Sequence, residues 1–206
     1  MNVAQFETPL VAIMRGLTTA EAPAVGAALF EAGFRLLEVP LNRPGALEAI
    51  AILARMAPAD ALVGGGTILN VDSVDAVHEA GGRLLVAPNF NAAVVRRGAE
   101  LGMLCAPGVA TPTEAFNALD AGAHALKIFP AEMVGQGGLK AIKTVLPDGT
   151  PLWPVGGVAP EHIADWRKAG ATGFGIGGQL YSPGLAIDEL RARARSFVSA
   201  WRSSNH

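Results

Sequence analysis

The chain has 206 residues, 50% hydrophobic and 17% charged, enough for one well-buried core and a single domain over residues 1–206. A formal net charge of −2 without a basic run leaves no electrostatic footprint for nucleic acid or an anionic membrane surface. One cysteine excludes an internal disulfide and fits a cytoplasmic protein, and four scattered histidines offer no pair at metal-ligand spacing, so no metal is expected.

The N-terminus lacks the basic-then-apolar layout of a signal peptide. The uncharged stretch 169–187 is broken by glycines and Pro183, so it does not read as a membrane span. Apolar, strand-like runs recur at 10–14, 34–39, 61–65, 84–87, 103–106, 125–129, 152–155 and 173–176. Between them lie helix-length stretches with amphipathic spacing, such as Leu190, Ala194, Phe197 and Trp201 in the last. Gly33, Gly81, Gly102, Gly122 and Gly170 each stand just before a strand, where a left-handed glycine ends a helix. Thr18 with Glu21 and Thr111 with Glu114 have capping-box spacing, and Pro112 and Pro160 suit a first helical turn. A strand, a helix and a glycine repeated every ~20–27 residues imply parallel strands with crossover helices. Eight such units predict an α/β fold, a closed (β/α)8 TIM barrel rather than an open doubly wound sheet.

The sixth run, ALKIFP over 125–130, holds the residue hardest to place. Period-two alternation puts Ala125, Lys127 and Phe129 on one face and Leu126 and Ile128 on the other. Burying an ammonium is costly. Either the stem is buried and the head reaches water, or burial lowers the pKa so that the amine can attack a carbonyl. The other lysines, Lys140, Lys143 and Lys168, lie in helical or polar segments.

In a barrel of this kind chemistry sits at the C-terminal strand ends. Arg15 follows the first strand, Glu38 nears the end of the second, and Thr67 closes Gly64-Gly65-Gly66-Thr67 after the third. Pro88 follows the fourth and Pro107-Gly108 the fifth. Ordinary roles are open to most of them: Arg15 could pair with a surface acid, Thr67 could cap a helix, and the prolines could simply end strands. Glu38 is harder to dismiss, because an acid inside LLEV needs a partner or a raised pKa, and Lys127 and Arg15 qualify as partners. The last two turns, VGGV over 155–158 and GIGG over 175–178, are glycine-rich. Loops after strands seven and eight, with a helix starting at Pro160, suit a phosphate group. Cys105 reads as a small core residue with no histidine near it in sequence.

Collected, these residues resemble the KDPG/KHG aldolase family of class I aldolases over nearly the whole chain. The likeness is carried by PLVAIMRG over 9–16, EVPLN over 38–42, GGGT over 64–67, ALKIFP over 125–130 and VGGV over 155–158. It implies a homotrimeric barrel that reversibly cleaves a phosphorylated 2-keto-3-deoxy sugar acid to pyruvate and D-glyceraldehyde 3-phosphate, without metal or other cofactor. By motif match Lys127 is the Schiff-base lysine and Glu38 the proton-transfer residue. Arg15, Thr67, Pro88, Val155, Gly157, Gly177 and Gly178 match substrate-contacting positions. Gly178 departs from the serine common in relatives, and Arg43 from a smaller residue. Asn42 and Val155 stand where gluconate-type relatives carry arginine and threonine, which implies preference for the C4-epimeric galactonate substrate. Two rival readings stay open: another phosphate-binding barrel enzyme in which Lys127 is only a charge, and a sugar-phosphate binder without catalysis.

Overall fold

A computed structural model describes residues 3–204, so the ends of the domain expected over 1–206, His206 included, lie outside the described residues. Strands and helices alternate along the chain: β1 Leu10–Ile13, α1 Ala22–Ala32, β2 Leu36–Pro40, α2 Ala46–Met56, β3 Leu62–Gly66, α3 Val71–Glu79, β4 Leu84–Val86 and α4 Ala92–Glu100. Then follow β5 Leu104–Ala106, β6 Gly108–Val109, α5 Pro112–Asp120, β7 Leu126–Ile128, α6 Ala131–Lys143, β8 Leu152–Pro154, α7 Ile163–Ala169, β9 Phe174–Ile176 and α8 Ile187–Ser203. Every strand pair is parallel, in two sheets ordered β5-β4-β3-β2-β1-β9 and β6-β7-β8.

Local chemistry accounts for the punctuation. All five predicted cap glycines take positive φ, from +68° at Gly102 to +115° at Gly170, a region that costs residues with a Cβ. Thr111 and Glu114 form a reciprocal capping box at α5, with Pro112 in the first turn. Thr18 and Glu21 exchange the same bonds one turn before α1. Pro160 opens a 3-10 turn, Pro160–His162, and the α-helix follows only at Ile163. The helix expected at Pro160 therefore starts later and is short.

Strand alternation sorts the apolar residues into two cores. Val11, Leu36, Leu84, Val86, Leu104, Ala106, Ala125 and Trp153 pack against one another on the inner face. Their neighbours Leu10, Ala12, Leu37, Val39, Leu126 and Ile128 pack outward beneath the helices. Two residues on from Leu36 is Glu38, and two on from Ala125 is Lys127, so strand period puts both on the inner face.

The fifth predicted strand is found at Leu104–Ala106, and a two-residue strand that the sequence did not predict follows it. Pro107 has no N–H to continue the ladder, and a side chain on Gly108 would collide with the Pro88 carbonyl, so β5 and β6 are separate short strands. Bonds still cross between the sheets on both edges. On one side Ala125 N–H donates to Cys105 O at 3.2 Å. On the other side Val155 bridges Gly175, and Thr172 N–H donates to Leu152 O at 2.9 Å. No helix among the described residues is long and apolar enough to cross a membrane.

Candidate active site

Lys127 sits mid-strand in β7 and is only 7% exposed; its Nζ lies 4.7 Å from the centroid of the Phe129 ring, two residues along the same face. Glu38, in β2, is 2% exposed, and its Oε2 has no hydrogen-bond partner among the described residues. Room for that carboxylate comes from the neighbouring strand. Any side chain on Gly66, at the end of β3, would collide with it.

Burial and charge act on these two groups in opposite senses. Burial raises the Glu38 carboxyl to about 7, opposed by the positive charges of Lys127 and then Arg15. Burial lowers the Lys127 amine from 10.5; the Glu38 charge opposes that shift, and Arg15 adds to it. Desolvation outweighs attraction at both, so more of the amine is neutral and able to attack, and the acid is a better proton carrier near neutral pH. The cations that the sequence nominated for Glu38 are the two that act on it.

A cleft of about 360 Å³ is lined by Phe129, the ring that Lys127 Nζ faces. Arg15 enters it from the loop after β1, Val155 and Gly157 from the end of β8, and Gly177 and Gly178 from the end of β9. A smaller space of about 10 Å³ lies beside Lys127 and Trp153, and Ile13, Val155 and Gly175 wall both spaces. Lys127 therefore lines the smaller space and not the cleft itself. Glycines at 156 and 157, with φ of +121° and +58°, turn the chain where a side chain would strike Glu132. Gly178 meets nothing within 4 Å, so its backbone is open to a ligand.

Thr67 and Pro88, like Glu38, are not among the residues that line these two spaces. Thr67 has φ +55°, the one positive value at a non-glycine among the described residues, and follows the Gly66 that accommodates Glu38. The Pro88 carbonyl packs on Gly108. Cys105 is buried, its thiol pushed up to about 12 by desolvation. His124 does approach it in space, but its Nδ1 accepts from the Cys105 backbone N–H at 3.2 Å while the thiol faces carbonyls. Sequence reading missed Ile13, Gln179, Tyr181, Ser182 and Pro183 as cleft residues. Tyr181, the only tyrosine in the chain, was the most legible signal among them.

The family model described as aldolase, KDPG and KHG aldolase, matches residues 3–192. The 2-dehydro-3-deoxy-6-phosphogalactonate aldolase of Escherichia coli (strain K12) is 44% identical over 200 residues, 97% of this chain and 98% of that one. A probable enzyme of the same name from Rhizobium meliloti (strain 1021) is 45% identical over 95% of this chain and 92% of its own. Among solved structures, one described as the native KDPGal structure superposes with a TM-score of 0.94 at 43% identity, covering 96% of each chain.

Proposed function

The chain belongs to the KDPG and KHG aldolase family, an aldehyde-lyase family of Schiff-base type, and from that premise we propose that it cleaves 2-dehydro-3-deoxy-6-phosphogalactonate reversibly to pyruvate and D-glyceraldehyde 3-phosphate. One observation carries the reading: an amine and a carboxyl share a buried inner face, with pKa values drawn toward each other by desolvation. Neutral Lys127 attacks the C2 carbonyl, water leaves, and an iminium forms. Glu38 takes the C4 hydroxyl proton. The C3–C4 bond breaks, its electron pair moves into the iminium to give an enamine, and the aldehyde departs. Glu38 then returns its proton to C3, and hydrolysis of the imine frees pyruvate and the amine. The electron sink is the iminium itself.

Arg15 suits the substrate carboxylate, and the turns at Gly157, Gly177 and Gly178 suit the phosphate, whose binding positions C2 against the amine. Val155, which lines both spaces, is assigned to the C4 end of the substrate. Thr67 and Pro88 join these residues as substrate contacts, as the family resemblance implies. Closure into one complete (β/α)8 barrel domain is supported by the bonds that cross both sheet edges. A homotrimer is supported by the family resemblance and by exposed apolar side chains such as Met133, 70% exposed, and Leu69, 50% exposed. A cytoplasmic setting fits the single free cysteine.

The test is covalent. Pyruvate with borohydride adds one reduced pyruvate adduct, mapped by mass spectrometry to Lys127 and absent from Lys127→Ala. An adduct on Lys140, Lys143 or Lys168 overturns the assignment. Equal turnover of the unphosphorylated sugar acid overturns the anion site.

A further inference from the structure

Away from the reacting groups, one carboxylate ties together two loops that are distant in sequence. Glu21, in the loop after β1, accepts from Gly184 N–H at 2.9 Å through Oε1, across 163 residues of chain. Its Oε2 accepts from the Thr18 hydroxyl at 2.6 Å and the Thr18 N–H at 3.2 Å. Thr18 Oγ1 accepts in return from Glu21 N–H at 3.2 Å. The carboxyl is held below its usual range, first by the Thr18 hydroxyl and then by the Gly184 N–H.

The loops also touch beside this clamp. Pro183 Cγ lies 3.1 Å from where a Cβ would stand on Gly16, whose φ of +83° favours glycine. Tyr181 is buried, and its hydroxyl approaches the Glu21 carboxylate. Burial, with the Glu21 charge adding to it, pushes that hydroxyl up to about 12, so it faces the clamp protonated.

What the clamp holds is a wall of the cleft. Gly177, Gly178, Tyr181, Ser182 and Pro183 line one side, and Arg15, in the loop that carries Glu21, enters from the other. Side-chain positions on Gly178 and Gly184 would meet nothing within 4 Å, so packing does not brace those points. The segment 177–184 is anchored at one end by β9 and at the other by the Gly184–Glu21 bond.

We propose that Glu21 is a positioning residue for the phosphorylated end of the substrate, fixing the 177–184 segment against the loop after β1 and so setting the width of the anion cleft without touching the ligand. This rests on the aldolase reading above. Glu21→Gln keeps the side chain's size, but whichever way its amide turns, an NH₂ group meets an N–H or O–H donor. Hydrogen bonds to a charged acceptor are the stronger kind, so loss of the clamp corresponds to about a tenfold effect on binding.

The experiment runs the reaction in the synthetic direction. In Glu21→Gln, KM for glyceraldehyde 3-phosphate and the inhibition constant of inorganic phosphate rise about tenfold, while KM for pyruvate and borohydride trapping at Lys127 stay at wild-type values. Thr18→Val keeps the charge and the Gly184 contact but removes the orienting hydroxyl, and gives a smaller shift in the same sense. It carries the test if Glu21→Gln does not fold. Unchanged constants for both phosphate ligands, or equal losses for pyruvate and the phosphorylated aldehyde, overturn the clamp. A wild-type protein with no Lys127 adduct overturns the aldolase reading instead. In that event calorimetric binding of inorganic phosphate to wild type and Glu21→Gln still decides the clamp, equal affinities overturning it.

Discussion

A carboxyl that takes a proton from a substrate hydroxyl and later returns one works best with its pKa near the ambient pH. Glu38 reaches about 7 because desolvation exceeds the pull of Lys127 and Arg15. Turnover should therefore rise with pH through about 7 as Glu38 ionises. Glu38→Gln should lower kcat by ~10²–10⁴-fold and erase that limb, while pyruvate trapping at Lys127 persists at least in part. A pH–rate profile of both proteins checks this; a limb that survives the substitution belongs to another group. Val155 offers a second test, since it walls both the cleft and the space beside Lys127. Threonine has nearly its shape and adds a hydrogen-bonding hydroxyl. One neutral hydrogen bond is worth ~0.5–1.5 kcal/mol, so Val155→Thr should move the galactonate-to-gluconate ratio of kcat/KM about threefold to tenfold toward gluconate. An unchanged ratio removes Val155 from specificity.

At the scale of elements, the strands are three to five residues long in most places, and their ends are fixed by glycine, proline and caps more than by length. Thr111 bonds the Glu114 N–H while Glu114 Oε2 takes the Thr111 N–H at 3.0 Å. Thr111→Ala should cost ~0.5–2 kcal/mol, read as a lower urea midpoint at unchanged slope. The glycines of β3 answer to packing. Gly64 lies against the Leu84 backbone and Gly66 against the Glu38 carboxylate. Gly66→Ala should therefore lose both stability and activity. Gly137→Ala, in α6 with nothing within 4 Å of the new methyl, should be neutral or slightly stabilising. Thermal melts and turnover of the two variants decide between packing and a general intolerance of alanine.

At the scale of the molecule, the buried acid makes stability depend on pH. The folded carboxyl of Glu38 titrates near 7 and the unfolded one near 4.5. Between these values the unfolded chain has released a proton that the folded chain keeps, so the contribution is full below 4.5 and is lost as pH rises to 7. Glu38→Gln removes this term. Relative to wild type the variant should gain on the order of 3 kcal/mol across that window, at 1.36 kcal/mol per unit. Parallel melts at acid and neutral pH measure it; a constant difference assigns the window to other groups. Light scattering should give three times the chain mass of 21.1 kDa, and a monomer at micromolar concentration removes the trimer.

What the sequence determined by itself is what local chemistry encodes. Period two sorted inner from outer residues and put Lys127 inside, the glycines marked the helix ends, and composition at the strand ends nominated Glu38 and Arg15. These signals need only neighbours a few residues away. Tertiary structure alone decided the rest, because distances between strands are set by register and packing. It added a two-residue strand after Pro107 and gave Gly66 its purpose as space for a carboxylate. It also joined Glu21 to Gly184 across 163 residues, a contact no local pattern announces because each partner alone reads as an ordinary helix cap and an ordinary turn.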